Sequence, residues 1–466
     1  MVHSIVIAQA HFISGFETGS KELIVKRLVV ILSVLSAIVF CFTSQTLAED
    51  WLRFLGEDGR ATVNGAKAPL EWNEKTNIKW KTALPGPGSS SPIVVGNRVF
   101  LTCYTGYGVK PVTNIKEADK TAGDIKKLTR HLICFDRTQG DILWQKSIGN
   151  QAVKNEDPFK GYITYHGYAT NTPITDGKYV YAFLGKAGLI AFDLDGNEKW
   201  RRRFEGEPNK MRWGSAASPI FFGNQLIVNA IDECGKILSI DKSDGKIRWE
   251  FDAATRMAYS TPSLIVAGGK TELIVAAPNR VYGVDPETGK QNWFAKTTLD
   301  NEVNASIIVE GDIAYIYGGY QGVGSLAVRA GGQGDVTKSH VLWTSKDTSY
   351  VSTPVLKDGY IYWIKENGIA FCVDAKSGEQ KYRQRVPGFS TARGVKMFAS
   401  MVVVDDQIIG VSRKNGTTIW KANSEKFELV RQNVIKDDES SFNGTPAIAG
   451  DQLFLRSNTY LYCISN

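Results

Sequence analysis

The chain has 466 residues, of which 43% are hydrophobic, so it can bury one large core or two to three ordinary ones. Its net charge of +7 is spread over the whole length, which excludes the dense basic surface typical of nucleic-acid binding. The 45 Gly, 11 Trp, 18 Tyr and 21 Phe, with few long helix-period stretches, predict an all-β chain, because strands need aromatic packing and tight turns need glycine.

The N-terminal segment has the pattern of an export signal. Basic residues precede the apolar run Leu28 to Phe42, and Thr46-Leu47-Ala48 follows as a small-x-small cleavage site. We therefore predict a signal peptide and leader at residues 1–48 and a mature protein that is periplasmic or extracellular. The apolar run is shorter than the roughly 20 residues of a spanning helix, and an uncleaved signal anchor remains the alternative.

An internal repeat with a period of roughly 40 to 50 residues follows the signal. Each copy opens with Ser or Thr before a strand that ends at a glycine turn, and in six copies Pro comes directly after it. Two degenerate copies, Ser306-Ile307 and Ser400-Met401, lie where the spacing requires them. The six complete copies open at Ser91-Pro92, Thr172-Pro173, Ser218-Pro219, Thr261-Pro262, Thr353-Pro354 and Thr445-Pro446. This predicts eight repeats of one structural unit.

The second half of each repeat is a small residue, any residue and Asp, followed by a glycine turn and an aromatic residue. In the copy that contains Asp241, Gly245 and Trp249, the Asp carboxylate is expected to accept N–H groups of the turn, and Gly supplies a positive φ. The aromatic residue then begins the next strand and buries a large face. The predicted docking residues are Trp80, Trp144, Trp200, Trp249, Trp293, Trp343, Tyr382 and Trp420.

The final repeat stops at Tyr462-Cys463-Ile464 without an aromatic strand of its own. The segment Asn77 to Lys81 has the same form as Gly245 to Trp249 and precedes the first Ser-Pro. We therefore predict that this N-terminal strand completes the last blade and closes the ring, which removes two exposed sheet edges. The predicted fold of residues 49–466 is an all-β, eight-bladed β-propeller of four-stranded antiparallel blades.

The runs Ala191 to Trp200, Asp241 to Trp249 and Asp285 to Trp293 resemble the tryptophan-docking motif of the PQQ-like (pyrroloquinoline-quinone repeat) β-propeller family. The resemblance covers roughly residues 72 to 466. This family includes quinoprotein alcohol dehydrogenases and BamB-like, non-enzymatic outer-membrane assembly propellers. The resemblance therefore implies the fold strongly and the chemistry weakly.

The cysteines and histidines do not form a recognisable site. Cys134, Cys372 and Cys463 occupy the small position beside a docking residue, which predicts buried fillers rather than disulfides. The absence of Cys-x-x-Cys-His excludes covalent haem. The histidines that follow the predicted signal are too scattered for a His-based metal site: His131, His166 and His340.

The loops that lead from each outermost strand to the next innermost strand are expected to gather around one mouth of the channel. Arg, Lys and aromatic side chains there predict a pocket for an anionic or planar ligand, and a merely polar loop lining is the alternative. The predicted ligand-binding residues are His166, Tyr168, Arg212, Trp213, Arg256, Tyr259, Asn301, Glu302, Tyr350, Arg393, Lys396 and Asn443.

The first repeat carries two insertions, at residues 104–131 and 151–170. Both are expected on one sector of the ring. Inserted loops on a rigid scaffold often carry function, and a solvated surface excursion is the alternative.

Two functions remain open. The favoured one is a non-catalytic binding or scaffold protein of the cell envelope, monomeric and without a cofactor, which holds an envelope protein or polymer. The alternative is a PQQ- and Ca-dependent quinoprotein dehydrogenase that oxidises an alcohol or sugar, with PQQ on Trp213 and Ca²⁺ on Asp300, Asn301 and Glu302. The chain lacks the adjacent Cys-Cys pair and the fused cytochrome segment of many such enzymes. We predict no nucleic-acid partner and no membrane span beyond the signal.

Overall fold

The computed structural model describes residues 50–110, 112, 114–151, 153–204, 212–253, 257–319, 324–390 and 396–466. The predicted signal at 1–48 lies outside the described residues. The described part contains eight sheets, each with four antiparallel strands, and two of them carry one additional short parallel strand. The predicted eight-bladed β-propeller is therefore confirmed. No helix in the described ranges is both long enough and apolar enough to cross a membrane.

Each blade runs from an innermost strand at the channel to an outermost strand at the rim, and blade 1 begins after Ser91. Blade 1 contains Ile93–Val95, Arg98–Thr105, Thr129–Asp136 and Ile142–Gly149, and blade 2 contains Ile174–Thr175, Tyr179–Phe183, Leu189–Asp193 and Glu198–Arg202. Blade 3 contains Ile220–Phe222, Gln225–Ala230, Lys236–Asp241 and Ile247–Phe251. Blade 4 contains Ser263–Ala267, Lys270–Ala277, Arg280–Val284 and Gln291–Lys296, and Gly334–Asp335 adds a short parallel strand to it.

The remaining blades follow the same order. Blade 5 contains Ile308–Glu310, Ile313–Tyr317, Ser325–Arg329 and Val341–Ser345, and blade 6 contains Val355–Lys357, Tyr360–Ile364, Ile369–Asp374 and Gln380–Arg385. Blade 7 contains Val402–Val404, Gln407–Val411, Thr417–Lys421 and Leu429–Asn433, and Thr62–Val63 adds a short parallel strand to it. Blade 8 contains Ala447–Ala449, Gln452–Arg456, Tyr460–Ile464 and Ile78–Ala83. The described helices are short: Ala118–Lys120, Ile125–Lys127, Ile163–His166, Gly185–Ala187, Ile231–Cys234 and Thr337–His340.

The core lies between the blades, and the burial of each strand follows from its place in the sheet. Every residue of Gln225–Ala230, the second strand of blade 3, is buried because neighbouring blades cover both faces. The outermost strand of the same blade, Ile247–Phe251, alternates between exposed and buried positions near its end because one face meets solvent. Near-continuous apolar runs in the middle strands therefore follow from burial on two sides.

A chain of hydrogen bonds links the opening Ser and Thr residues of successive repeats. In seven consecutive steps, the backbone N–H of one opening residue donates to the side-chain hydroxyl of the next at 2.9–3.3 Å. The chain begins with Ser91 donating to Thr172 and ends with Ser400 donating to Thr445. The repeated Ser or Thr therefore joins neighbouring blades at seven of the eight boundaries around the channel.

This hydroxyl ring leads to a stability prediction. Thr353→Val keeps the side-chain shape but removes the acceptor of the Ser306 N–H, which lies 3.0 Å from the Thr353 hydroxyl. Because the N–H would stay buried without a partner, we expect the free energy of unfolding to fall by about 1–2 kcal/mol in urea titrations. Thr353→Ser, which retains the hydroxyl, is the control. A loss in the serine variant as large as in the valine variant would contradict this role.

The N-terminal strand closes the ring as predicted. Ile78–Ala83 pairs antiparallel with Tyr460–Ile464, with Trp80 opposite Cys463. The Trp80 indole N–H then donates to the carbonyl of Arg137 in blade 1 at 3.0 Å. The innermost strands of blades 1 and 8 are also in contact. The two ends of the described chain are therefore joined within one sheet.

The docking contacts repeat at most blade boundaries. Five indole N–H groups donate to a backbone carbonyl of the next blade at 2.9–3.0 Å, from Trp80, Trp144, Trp200, Trp249 and Trp343. Two features of the turn beneath the ring require glycine. Gly245 has a φ of +73°, which side chains disfavour, and a Cβ at this position would lie 2.5 Å from the Trp200 ring. The Asp241 carboxylate accepts the Ser243 N–H, as predicted for this turn.

Three docking positions differ from this pattern. Trp293 donates instead to the Glu272 carboxylate in its own blade at 2.8 Å. Tyr382 has the predicted place in an outermost strand, and its ring contacts Phe427 of blade 7. The prediction that Trp420 begins an outermost strand is wrong, since Trp420 lies in the third strand of blade 7. The glycine turn before it joins the second and third strands, so the repeat pattern assigned it one strand too far along.

The cysteines are fillers, as predicted. All five described cysteines are free, and Cys134, Cys372 and Cys463 are buried. Each pairs across the strands with the docking residue of its blade, as Cys134 does with Trp144. Burial raises the pKa of all three thiols to about 12, so they stay protonated and unreactive at neutral pH.

Candidate binding site at the mouth of the channel

A cavity of about 170 Å³ lies at the centre of the ring. Its lining includes the opening residue of every repeat, so all eight repeats contribute to it. These residues are Ser91, Thr172, Ser218, Thr261, Ser306, Thr353, Ser400 and Thr445, and each is buried. The same hydroxyls that link the blades therefore face the cavity.

Aromatic rings form the wall of the cavity on the side of the mouth. Trp213 contacts Tyr162 edge to face, with 4.8 Å between ring centroids, and lies 5.8 Å from Tyr259. Phe398 contacts Tyr165 at 5.9 Å and Tyr350 at 6.2 Å. All of these rings line the cavity. Burial, and next a hydrogen bond with Tyr162, raise the pKa of the Tyr350 phenol, which is therefore neutral at physiological pH.

Residues 153–170, which we call the cover, contact loops on opposite sides of the mouth. The Asn443 amide of blade 8 donates to the Tyr165 carbonyl at 3.0 Å, and the Ser89 hydroxyl donates to the His166 carbonyl. On the other side, His166 Nε2 lies 2.8 Å from the Trp213 carbonyl oxygen. The cover comes from the insertion predicted at 151–170, and two of its three tyrosines, Tyr162 and Tyr165, line the cavity.

His166 fixes the position of the cover through hydrogen bonds of both ring nitrogens, so neither nitrogen is available to bind a ligand. Its Nε2 must carry the proton that is donated to the Trp213 carbonyl, and Nδ1 then accepts from the Thr170 hydroxyl at 2.7 Å. Burial lowers the pKa of His166, so the ring is neutral near pH 7. Both nitrogens are thus used inside the protein.

The opposite end of the channel is occupied by residues 50–63, which we call the plug. Trp51 exchanges two backbone hydrogen bonds of 2.9 Å with Val94 of blade 1, and the Leu52 carbonyl accepts from Thr175 of blade 2. Thr62–Val63 then pairs with the innermost strand of blade 7. Phe54, between these contacts, reaches the cavity lining. The plug crosses the far end of the channel, and the cover lies at the mouth, so the cavity lies between these two segments.

Six of the predicted ligand-binding residues come together in the cavity: His166, Trp213, Tyr259, Glu302, Tyr350 and Asn443. Four others lie elsewhere. Tyr168 is buried among the insertions and donates to the Asp157 carbonyl, and Arg212 is exposed. The Asn301 side chain accepts the Glu302 N–H, and Lys396 is partly buried without lining the cavity. Arg256 and Arg393 lie outside the described residues. The ligand-binding role of the six stays a prediction.

The sequence prediction missed several lining residues. Tyr162 and Phe398 were not singled out, because loops without a repeat pattern cannot be placed by spacing. Phe54 belongs to the run Trp51-Leu52-Arg53-Phe54-Leu55, whose apolar character just outside the repeat was the available signal. The eight hydroxyls were recognised as repeat markers but not as part of the cavity.

Comparison with known proteins is consistent with this architecture. Residues 129–384, more than half of the chain, match the family model described as outer membrane protein assembly factor BamB, of the PQQ-like repeat type. The chain belongs to this PQQ-like propeller family. A BamB of Yersinia pestis is 21% identical over 356 residues, which cover 72% of this chain and 79% of the relative.

Solved structures share the propeller fold at low sequence identity. BamB from Moraxella catarrhalis superposes with a TM-score of 0.55 and 13% identity, covering 83% of this chain and 96% of that one. A europium-containing methanol dehydrogenase superposes with a TM-score of 0.58 and 10% identity, covering 89% and 91%. One fold thus serves both an assembly factor and an enzyme, so the residues of the site must decide between them.

The cavity of this PQQ-like propeller does not fit PQQ and Ca²⁺. Within the described lining, Glu302 is the sole carboxylate, and neither lysine nor arginine is present to bind the acidic groups of PQQ. Asp300 is exposed, and the Asn301 side chain accepts the Glu302 N–H, so this predicted trio does not converge. The described residues contain no group of three or more His, Cys, Asp or Glu side chains placed to hold a metal ion.

The two insertions pack on each other and form a small core of their own, which includes Tyr107, Phe159 and Ile163. Gly161 donates to the Ile115 carbonyl across the two segments at 2.7 Å. Two buried ion pairs also hold the cover, since Glu156 lies 2.7 Å from Arg130 of blade 1. The second pair joins Asp157 to Lys186 of blade 2 at 2.7 Å.

Two neighbouring acidic residues lie behind the cover, beside Lys186. Asp232 and Glu233 of blade 3 are buried, and their four carboxylate oxygens have no hydrogen-bond partner among the described residues. They line a small space together with Lys186 and Asp157. Burial, and next the charge of Glu233, raise the pKa of Asp232 well above its usual value. Burial raises the pKa of Glu233 to about 7.

Proposed function

We propose that this PQQ-like propeller is an exported, non-catalytic binding protein of the cell envelope, which holds its partner at the mouth of the channel. One observation carries the proposal: an aromatic cavity to which all eight repeats contribute lies in the channel between the plug and the cover. A plugged channel does not conduct, whereas a rigid ring with a walled cavity is suited to holding a protruding group.

The sequence relatives support the same class. The family model and the relative from Yersinia pestis both carry the description outer membrane protein assembly factor, which supports a role in the cell envelope for this chain as well. The predicted signal at residues 1–48 agrees with that location. A dehydrogenase is less well supported, because the described lining does not fit its cofactor.

The proposal predicts that the mouth, and not the rim, holds the partner. We expect Trp213→Ala to reduce the recovery of cross-linked envelope partner roughly tenfold, since Trp213 contributes the largest ring of the wall and anchors are usually aromatic. The measurement is quantitative cross-linking of the mature protein in envelope preparations. Trp144→Ala, which removes an equally half-buried indole at the rim, is the matched control.

Two results would refute the proposal. The first is an equal loss in the Trp144 and Trp213 variants, which would place the contact away from the mouth. The second is saturable PQQ binding with dye-linked oxidation of an alcohol or sugar by the wild-type protein.

A further inference from the structure

We infer that the group held in the cavity is one uncharged sugar ring, either a free monosaccharide or the terminal unit of a glycan. This inference rests on the proposed function and names the ligand of the same site. It follows from four properties of the cavity: its size, its aromatic wall, its hydroxyl floor and its charge.

The size of the cavity restricts the ligand to about one ring. Its volume of about 170 Å³ is close to that of an engineered cavity of about 150 Å³ that binds one benzene ring. It is smaller than the roughly 300–1,000 Å³ of pockets that enclose drug-sized ligands. The plug crosses the far end of the channel, so a polymer that reaches the cavity from the mouth is expected to place its end there rather than to pass through.

The wall suits the C–H faces of a sugar. Trp213 and Tyr259 lie 5.8 Å apart with their planes tilted by 31°, and both rings line the cavity. A pyranose has flat faces of C–H groups, which pack on aromatic rings and are removed from water there. An apolar wall alone would also accept a hydrocarbon, so the polar groups of the floor are needed to distinguish a sugar from a hydrocarbon.

The floor supplies a circle of hydroxyl groups. Seven of the ring hydroxyls, from Thr172 to Thr445, already accept a backbone N–H, and each retains its own proton for donation. Asn304 Nδ2 donates to the Tyr350 carbonyl, and its amide oxygen is a further acceptor at the lining. A hydrocarbon would leave these donors buried without partners. Sugar hydroxyls both donate and accept, so they match this mixture.

The charge of the lining disfavours an anionic ligand. A carboxylate or phosphate would need a cationic partner when buried, and the described lining contains neither lysine nor arginine. Hydroxyl oxygens accept as well as donate, so hexylamine is included in the test as the cationic comparison.

The test is calorimetric titration of the mature full-length protein with defined neutral sugars. Glucose, galactose, mannose and N-acetylglucosamine are each tested free and as the terminal unit of a trisaccharide. Glucuronate, hexylamine and hexanol are the charged and apolar comparisons. Binding of the trisaccharide alone would identify a glycan end, and equal binding of both forms would identify a monosaccharide site.

Two substitutions locate the binding. We expect Trp213→Ala to weaken binding at least roughly tenfold, or about 1.4 kcal/mol, through loss of the stacking face. Ser91→Ala removes one floor hydroxyl while its backbone N–H still bonds to Thr172, and a loss of about two- to tenfold is expected. Trp144→Ala should bind as the wild type does. Unfolding curves of all three confirm that they fold.

Three results would overturn the inference: no neutral sugar binds, glucuronate or hexylamine binds as tightly as the neutral sugars, or the Trp213 variant binds normally. If no sugar binds but partner recovery from the envelope still depends on Trp213, the ligand class is wrong and the proposed function stands. If sugars bind but no partner is recovered through the mouth, the proposed function fails and the site remains.

Discussion

Replacing Trp80 by alanine should lower the free energy of unfolding by about 3–5 kcal/mol, the range for truncating a large buried aromatic side chain. Trp80 is 8% exposed, packs 5.9 Å from Phe454 and donates its indole N–H to the carbonyl of Arg137. It lies in the one strand that completes blade 8 from the opposite end of the described chain. Its loss therefore weakens both a core and the closure of the ring.

Urea unfolding followed by circular dichroism measures this effect. Trp80→Phe, which keeps an aromatic ring but loses the N–H donor, should lose only about 1–2 kcal/mol. Trp213→Ala, at the half-buried mouth, serves as the comparison for an indole that closes no sheet. A loss below about 1 kcal/mol in Trp80→Ala would mean that this strand does not secure the ring.

The stability of the wild-type protein should fall by roughly 2–3 kcal/mol or more between pH 5 and pH 8, and Glu233→Gln should reduce this fall. Burial raises the pKa of Glu233 from 4.5 to about 7, so the folded protein holds this proton more tightly than the unfolded chain. Below pH 4.5 both states are protonated and the contribution is fully present. It is lost as the pH rises through 7, because the folded state must then bury a charge.

Urea unfolding at intervals of half a pH unit tests this prediction. Glu310→Gln, at an exposed position of blade 5, is the control and should follow the wild-type curve. Asp232 adds to the same trend, since its pKa is also raised, so Asp232→Asn with Glu233→Gln should give the flattest profile. A Glu233 variant with an unchanged pH dependence would show that the cluster is compensated in solution.

The blades could be counted in the sequence because each blade uses similar residue types at corresponding positions for the same contacts. Ser91 and its counterparts mark the innermost strands, and Asp241, Gly245 and Trp249 mark one complete turn and docking contact. The pattern failed at Trp420, where the glycine turn of blade 7 joins a different pair of strands. A local signal identifies a turn but does not say which two strands the turn connects.

Local spacing thus determined the all-β class and the eight blades, since these depend on residues close together along the chain. The closing strand near Trp80 was recognised because Asn77 to Lys81 has the form of the repeat, although it pairs with distant residues. The cavity was decided by tertiary structure alone. Phe54 reaches it from the plug and Tyr165 from the cover, and neither belongs to the repeat. Asp232 and Glu233 are buried in a small space that they share with residues of the cover. Contacts between distant segments depend on the path of irregular loops, which no periodic pattern encodes.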